Sequence, residues 1–190
     1  MSRDRDVEPD PYRYRLGWGP AARLNAASRI RNAIANNSGL LAVSEAVAEE
    51  MLDLFVAYAA SITLLEEGGY RELVNVGYLE PGEQRFPDDP PYEVARFPLS
   101  TRLLLDGGGY LSASRSSALY QEFQAMWPGL LDGSFLGVPV FAHGELRGEL
   151  YVARAAGEPA FIDEDVDAAR DLATLYGAVL PDLLTGERRP

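Results

Sequence analysis

The stretch GSFLGVPVFAHGELRGELYVARAAGEPAFIDEDVDAARDLATLYGAVL, Gly133 to Leu180, changes its period once, from two to 3.6 residues. In its first part Val138 and Val140 share one face, and Leu146, Leu150 and Val152 share a face of the following segment. This is the alternation of two half-buried strands. His143 and Gly144 separate them; a two-residue hairpin connection needs positive φ, which glycine accepts freely and histidine tolerates better than most residues. The second part starts at Asp163, a good N-cap, with Glu164 and Asp165 at the positive end of a helix dipole. Val166, Ala169, Leu172, Ala173, Tyr176, Val179 and Leu180 then form one apolar stripe running to Pro181. Strand, tight turn, strand and amphipathic helix are the parts of an α+β fold with an antiparallel sheet.

Upstream, the same reading gives two helices and a second hairpin. Pro20 to Asn36 places Leu24, Ala27, Ile30 and Ile34 at steps of three and four, and Leu40 to Phe55 does so with Val43, Val47, Met51 and Leu54. AASITLL and YRELVNVGY flank EEGG and read as paired strands. The Pro-rich residues 85–93 form a loop. VARFPLS reads as a short strand, Ser100 as the cap of a short helix TRLLLD, GGGYLSASRSS as a turn entering a strand, and ALYQEFQAMWPGLL as a helix broken at Pro128. The expected organisation is a charged, Pro-containing arm over residues 1–19, one domain over 20–184 and a tail over 185–190. In the arm Tyr12, Tyr14, Leu16 and Trp18 alternate with Arg13, Arg15 and Gly17.

Composition narrows the chemistry. The 190 residues are 47% hydrophobic, enough for a sizeable core. No run of about 18 apolar residues is present, and the amino terminus is charged where a signal peptide needs an apolar stretch, so a soluble, cytoplasmic protein is expected. The net charge of −12 argues against nucleic acid or an anionic membrane as a partner. No cysteine is present, which excludes disulfides, thiolate metal sites and a cysteine nucleophile. All 17 basic residues are arginine, which excludes a catalytic or phosphate-gripping lysine.

His143, the single histidine, is read as a turn residue rather than a ligand, since it lacks the clustered partners that zinc or iron requires. The carboxylates of DDPPYE and FIDEDVD lack metal-loop spacing, and DGGGY lacks the Gly-Lys-Ser/Thr of a P-loop. With one histidine and no lysine, serine triads and dyads are hard to assemble. No catalytic residue, metal site or cofactor is therefore assigned, and the protein is expected not to be an enzyme.

Across residues 24–181 the chain resembles a GAF domain, and a stand-alone one. Ser134, Val138, Pro139, Gly144, Gly148, Phe161, Asp163 and Asp165 stand at the positions of the family's Val-Pro strand, Gly-centred hairpin and acidic helix start. The resemblance implies an α+β, PAS-related fold: a central antiparallel sheet with helices packed on both sides. Its members bind cyclic nucleotides, haem, bilins, amino acids or nothing known. Bilin attachment and the family's methionine-sulfoxide reductase activity need a cysteine, and the cyclic-nucleotide motif needs a lysine; this chain has neither.

In this fold the segment before the Val-Pro strand closes one face of the sheet, and small ligands bind beneath it. The resemblance thus implies a pocket drawn from Phe97, Leu111, Tyr120, Phe123, Trp127, Ser134, Phe135 and Arg115, suited to a small apolar or aromatic ligand. The same aromatics also suit a plain core. Two functions remain open: a small-molecule-sensing regulatory domain signalling through a separate partner protein, or a ligand-free dimerisation or adaptor module. Small residues at Ala22, Ala26, Ala33 and Ala35, and at Ala168, Thr174, Leu175 and Ala178, predict a homodimer through the terminal helices.

Overall fold

The computed structural model describes residues 20–36, 39–67, 69–79, 81–112, 116–126 and 133–187; the amino-terminal arm lies outside these. The elements are α1 (Pro20–Asn36), α2 (Leu40–Leu54), β1 (Ala59–Glu66), β2 (Gly69–Gly77), a 3₁₀ turn (Val94–Arg96), α3 (Pro98–Leu105), β3 (Tyr110–Ser112), α4 (Ala118–Met126), β4 (Ser134–Ala142), β5 (Glu145–Arg154) and α5 (Asp163–Glu187). Both expected hairpins form, β1 with β2 and β4 with β5. Antiparallel pairing of β1 with β5 joins them, and β3 completes a five-stranded sheet in the order β2-β1-β5-β4-β3.

The sheet separates two cores. On one face Leu136, Val138, Val140, Leu150 and Val152 meet Ile30 of α1, Val43, Val47 and Met51 of α2, and Leu172, Tyr176 and Leu180 of α5. The Ser44 and Tyr176 hydroxyls, 2.6 Å apart, tie α2 to α5 within this core. On the other face α3 and α4 cover Tyr70, Tyr110 and Phe135 with Phe97, Leu104, Tyr120 and Phe123. Glu122 of α4 clamps the cover: it accepts from the N–H groups of Leu99 and Ser100 at 2.7 and 3.0 Å and from the Ser100 hydroxyl at 2.8 Å. A carboxylate on the first turn of α3 also meets the positive end of that helix.

Several local expectations change. VARFPLS is a 3₁₀ turn followed by helix, because Pro98, with its fixed φ, starts α3; Ser100 lies inside that helix and is not its cap. In α1 Ala26 and Ile30 are buried and Ile34 packs against the core, while Leu24 is 63% exposed. An extra residue in β5 between the partners of Val140 and Phe141 turns Leu146 to the α3–α4 face, opposite Leu150. The start of α5 is capped from within: Asp165 accepts the Ile162 N–H at 2.9 Å, which is the reciprocal half of a capping box, and Asp163 follows the cap. The helix runs on through Pro181. His143 and Gly144 have φ of 53° and 79° at the β4–β5 tip, the primed-turn geometry their order requires.

One arginine crosses these layers. Arg154 is fully buried, donates to the Phe55 carbonyl at 2.9 and 3.1 Å and to the Pro159 carbonyl at 3.1 Å, and stacks 4.1 Å from the Phe161 ring centre. It ties the end of β5 to the α2–β1 junction and to the approach to α5.

Candidate functional site

The side of the sheet beneath α3 and α4 is not apolar throughout. Strand register lays two polar rows across it: Glu72, Thr63, Glu149 and Pro139 on β2, β1, β5 and β4, and beside them Asn75, Ser61, Tyr151, Gly137 and Tyr110. An extra residue in β2 brings Glu72 opposite Thr63, next to the Ile62–Val74 pair. A cavity of about 200 Å³ opens over these rows. Phe97, Phe123, Phe135, Tyr70, Tyr92 and Tyr151 wall it, and Tyr58 and Tyr78, stacked with ring centres 4.6 Å apart, line it beside Ala59.

The cover is held by main-chain contacts as well as by Glu122. Tyr70 and Tyr92 exchange N–H···O bonds of 2.8 and 2.7 Å, which carries the Pro-rich segment along the edge of β2 and sets the Tyr92 ring over the cavity. Gly69 permits this approach, since a Cβ there would overlap the Tyr92 carbonyl. Rings of Phe123 and Tyr151 stack at 6.0 Å with planes 14° apart, and Phe123 lies 4.9 Å from Phe135.

The electrostatics are one-sided. Burial, with a smaller contribution from the Glu72 charge, pushes the Glu149 carboxyl up to about 7, although the hydrogen bond from the Tyr110 hydroxyl opposes the rise. Burial also raises Glu72, against a hydrogen bond with Asn75 and with Glu83 and Asp89 nearby. Tyr70, Tyr92, Tyr110 and Tyr151 are all pushed upward, first by burial, so these phenols are neutral donors. Glu83 adds a third carboxylate to the lining, and among the described residues Arg154 is its only basic member. Among the described residues no group of three or more histidine, cysteine or acidic side chains could hold a metal ion.

The residues expected from the sequence divide. Phe97, Phe123, Ser134 and Phe135 line the cavity. Leu111 does not: on β3 it alternates with Tyr110 and Ser112 and packs toward the α1–α2–α5 core. Tyr120 does not line it either. It is fully buried behind the wall, stacked 6.1 Å from Phe135, because its place on α4 turns it into the cover's own core. Arg115 and Trp127 lie outside the described residues.

Glu72, Asn75, Glu149 and Tyr151 were not among the expected residues, though one signal marks them. Each is a polar or amphipathic residue alternating with core positions in a strand, as in Glu149-Leu150-Tyr151-Val152; such a face ordinarily meets water, and here it meets the cover.

Neither a family model nor a curated protein matches the chain in sequence. Solved structures do match in shape. The GAF domain of an Acinetobacter phosphoenolpyruvate-protein phosphotransferase is 19% identical, with a TM-score of 0.68 over 88% of this chain and 96% of that one. The phycoerythrobilin-bound GAF domain of a cyanobacterial phytochrome is 12% identical, with a TM-score of 0.69 over 87% and 97%. A segment of a methyl-accepting chemotaxis protein is 19% identical, with a TM-score of 0.60 over 84% and 98%. These likenesses in shape, together with the chain's five-stranded antiparallel sheet and its flanking helices, show that the chain has the fold of a GAF domain.

Proposed function

We propose that the protein is a small-molecule-sensing regulatory domain that has no catalytic activity of its own and acts on a separate signalling protein. The observation that carries this reading is the cavity of about 200 Å³ between the sheet and α3–α4. A packed core would fill such a space, whereas an engineered void of about 150 Å³ already admits benzene. The structural neighbours include a domain with a bound bilin and a segment of a chemotaxis protein; these are consistent with a sensory use of the fold. The placement of α1, α2 and α5 on the face of the sheet opposite the cavity is consistent with output through a partner.

The reading includes a homodimer through the helical layer and a cytoplasmic location. Leu24 and Leu41, 63% and 43% exposed, give α1 and α2 an apolar outer surface; Ala26 and Ala168 contribute nothing to it, since both are buried in the domain's own core. The same exposed leucines favour the second reading, a ligand-free dimerisation module. No helix among the described residues is long and apolar enough to cross a membrane. A thermal-shift screen of small amines, alcohols, carboxylates, nucleotides and aromatic metabolites separates the two readings: a specific ligand raises the unfolding midpoint in proportion to the logarithm of its excess over Kd. If no compound of any class raises it, the sensory reading fails and the adaptor reading stands.

A further inference from the structure

Sensory or not, a cavity built on paired carboxylates is selective by charge. Glu72 and Glu149 flank Thr63 in one cross-sheet row, which sets their Cα atoms about 10 Å apart at the usual strand spacing. Both carboxylates reach the same cavity. Hydrogen bonds reach them, from Tyr110 to Glu149 and between Asn75 and Glu72, and among the described residues of the lining no arginine forms an ion pair with either carboxylate. Arg154, the basic residue of the described lining, already commits its guanidinium to the Phe55 and Pro159 carbonyls and the Phe161 ring, with the Asp165 carboxylate 3.9 Å away. The lining also includes Phe97, Phe123, Tyr151 and Tyr92, aromatic rings of the type whose π-electron quadrupole attracts positive charge.

We propose that the cavity binds a small organic cation, a protonated or quaternary amine with a short apolar body, its charge held between Glu72 and Glu149 and its body against Phe97, Phe123 and Tyr151. This rests on the sensory reading and gives it a ligand class. An anion would face the like charges of Glu72 and Glu149. A neutral ring would displace water from Glu72 and Glu149 without supplying a counter-charge, which is unfavourable. For a divalent metal, the described residues hold no group of three or more histidine, cysteine or acidic side chains placed to ligate it. The volume suits a body somewhat larger than benzene.

Three isosteric probes test the assignment by calorimetric titration of the full chain near pH 8, where Glu149 is charged: 2-phenylethylammonium, 2-phenylethanol and phenylacetate. The ammonium is expected to bind at least about tenfold more tightly than the alcohol, and the carboxylate not to bind. Glu149→Gln and Glu72→Gln should each weaken the ammonium by about tenfold or more while leaving the alcohol within about threefold, which also reports that the variant's pocket is folded. Equal or tighter binding of the alcohol or phenylacetate, or ammonium binding unchanged in both variants, overturns the cation assignment and leaves the cavity a binding site. Binding of none of the three, together with a silent thermal-shift screen, overturns the sensory reading itself.

Discussion

The replacement Glu149→Gln separates the contribution of the buried charge from that of the side chain's shape. A carboxyl whose affinity for protons is higher in the fold than in the unfolded chain stabilises the fold at low pH, and that stabilisation is lost as pH rises through the folded value. For Glu149 the window runs from the ordinary 4.5 to about 7. At roughly 1.4 kcal/mol per decade of proton affinity this gap corresponds to about 3 kcal/mol, and hydration from the cavity side reduces it to roughly 1–2 kcal/mol. Glutamine keeps the acceptor for the Tyr110 hydroxyl and removes the charge. The groups around Glu149 are Glu72 and Tyr70 from β2, Tyr110 from β3, Tyr151 from β5, and Glu83 and Tyr92 from the segment between β2 and α3. The phenols stay neutral throughout, and Glu72, also raised, broadens the window. Urea unfolding of both proteins at intervals from pH 5 to pH 8 should show the variant about 1–2 kcal/mol more stable at the upper end and nearly equal at the lower. A difference between the two proteins that is constant across pH, or a variant less stable at pH 8, would refute the reasoning.

Other perturbations follow from single contacts. Gly137→Ala would push a methyl into the Tyr110 ring and the Glu149 carboxylate where they meet, so it should cost about 1–3 kcal/mol by thermal melting and abolish binding of any cavity ligand. Glu122→Ala removes three hydrogen bonds to α3; a loss of about 1–2 kcal/mol and faster amide exchange confined to α3 and α4 are expected. His143→Asn should leave stability within about 0.5 kcal/mol, because asparagine also accepts the left-handed conformation that residue 143 holds. For the homodimer, Leu24→Arg should lower the mass measured by light scattering to that of one chain, 20.8 kDa, without unfolding the domain; a wild-type monomer at micromolar concentration removes the dimer from the reading.

The parts of this protein that could be read from its residues are those governed by neighbours along the chain. Helix periods over Leu40–Leu54 and Val166–Leu180, alternation in Ala59–Gly77 and Val138–Val152, and the His143–Gly144 turn are each dictated by local backbone preference and by a pattern that has one apolar face. Cysteine and lysine chemistry are excluded by composition alone. What the tertiary structure decided is which faces are covered. Nothing near Glu149 or Glu72 shows that a strand's polar side lies under a helix, since Phe97 and Phe123, which close that space, are 52 and 26 residues from Glu149 along the chain. Leu24 and Ala26 illustrate the same limit within one helix: the larger residue is exposed and the smaller is buried, because the packing of α1 against α2 and α5, and not hydrophobicity, chose the face. A one-residue shift in β5 moved Leu146 to the opposite core from Leu150, and such a bulge exists only in the pairing of two strands. The cavity, the paired carboxylates within it and the raised proton affinity of Glu149 are all products of burial between distant segments, so they arise only when the sheet and its cover are brought together.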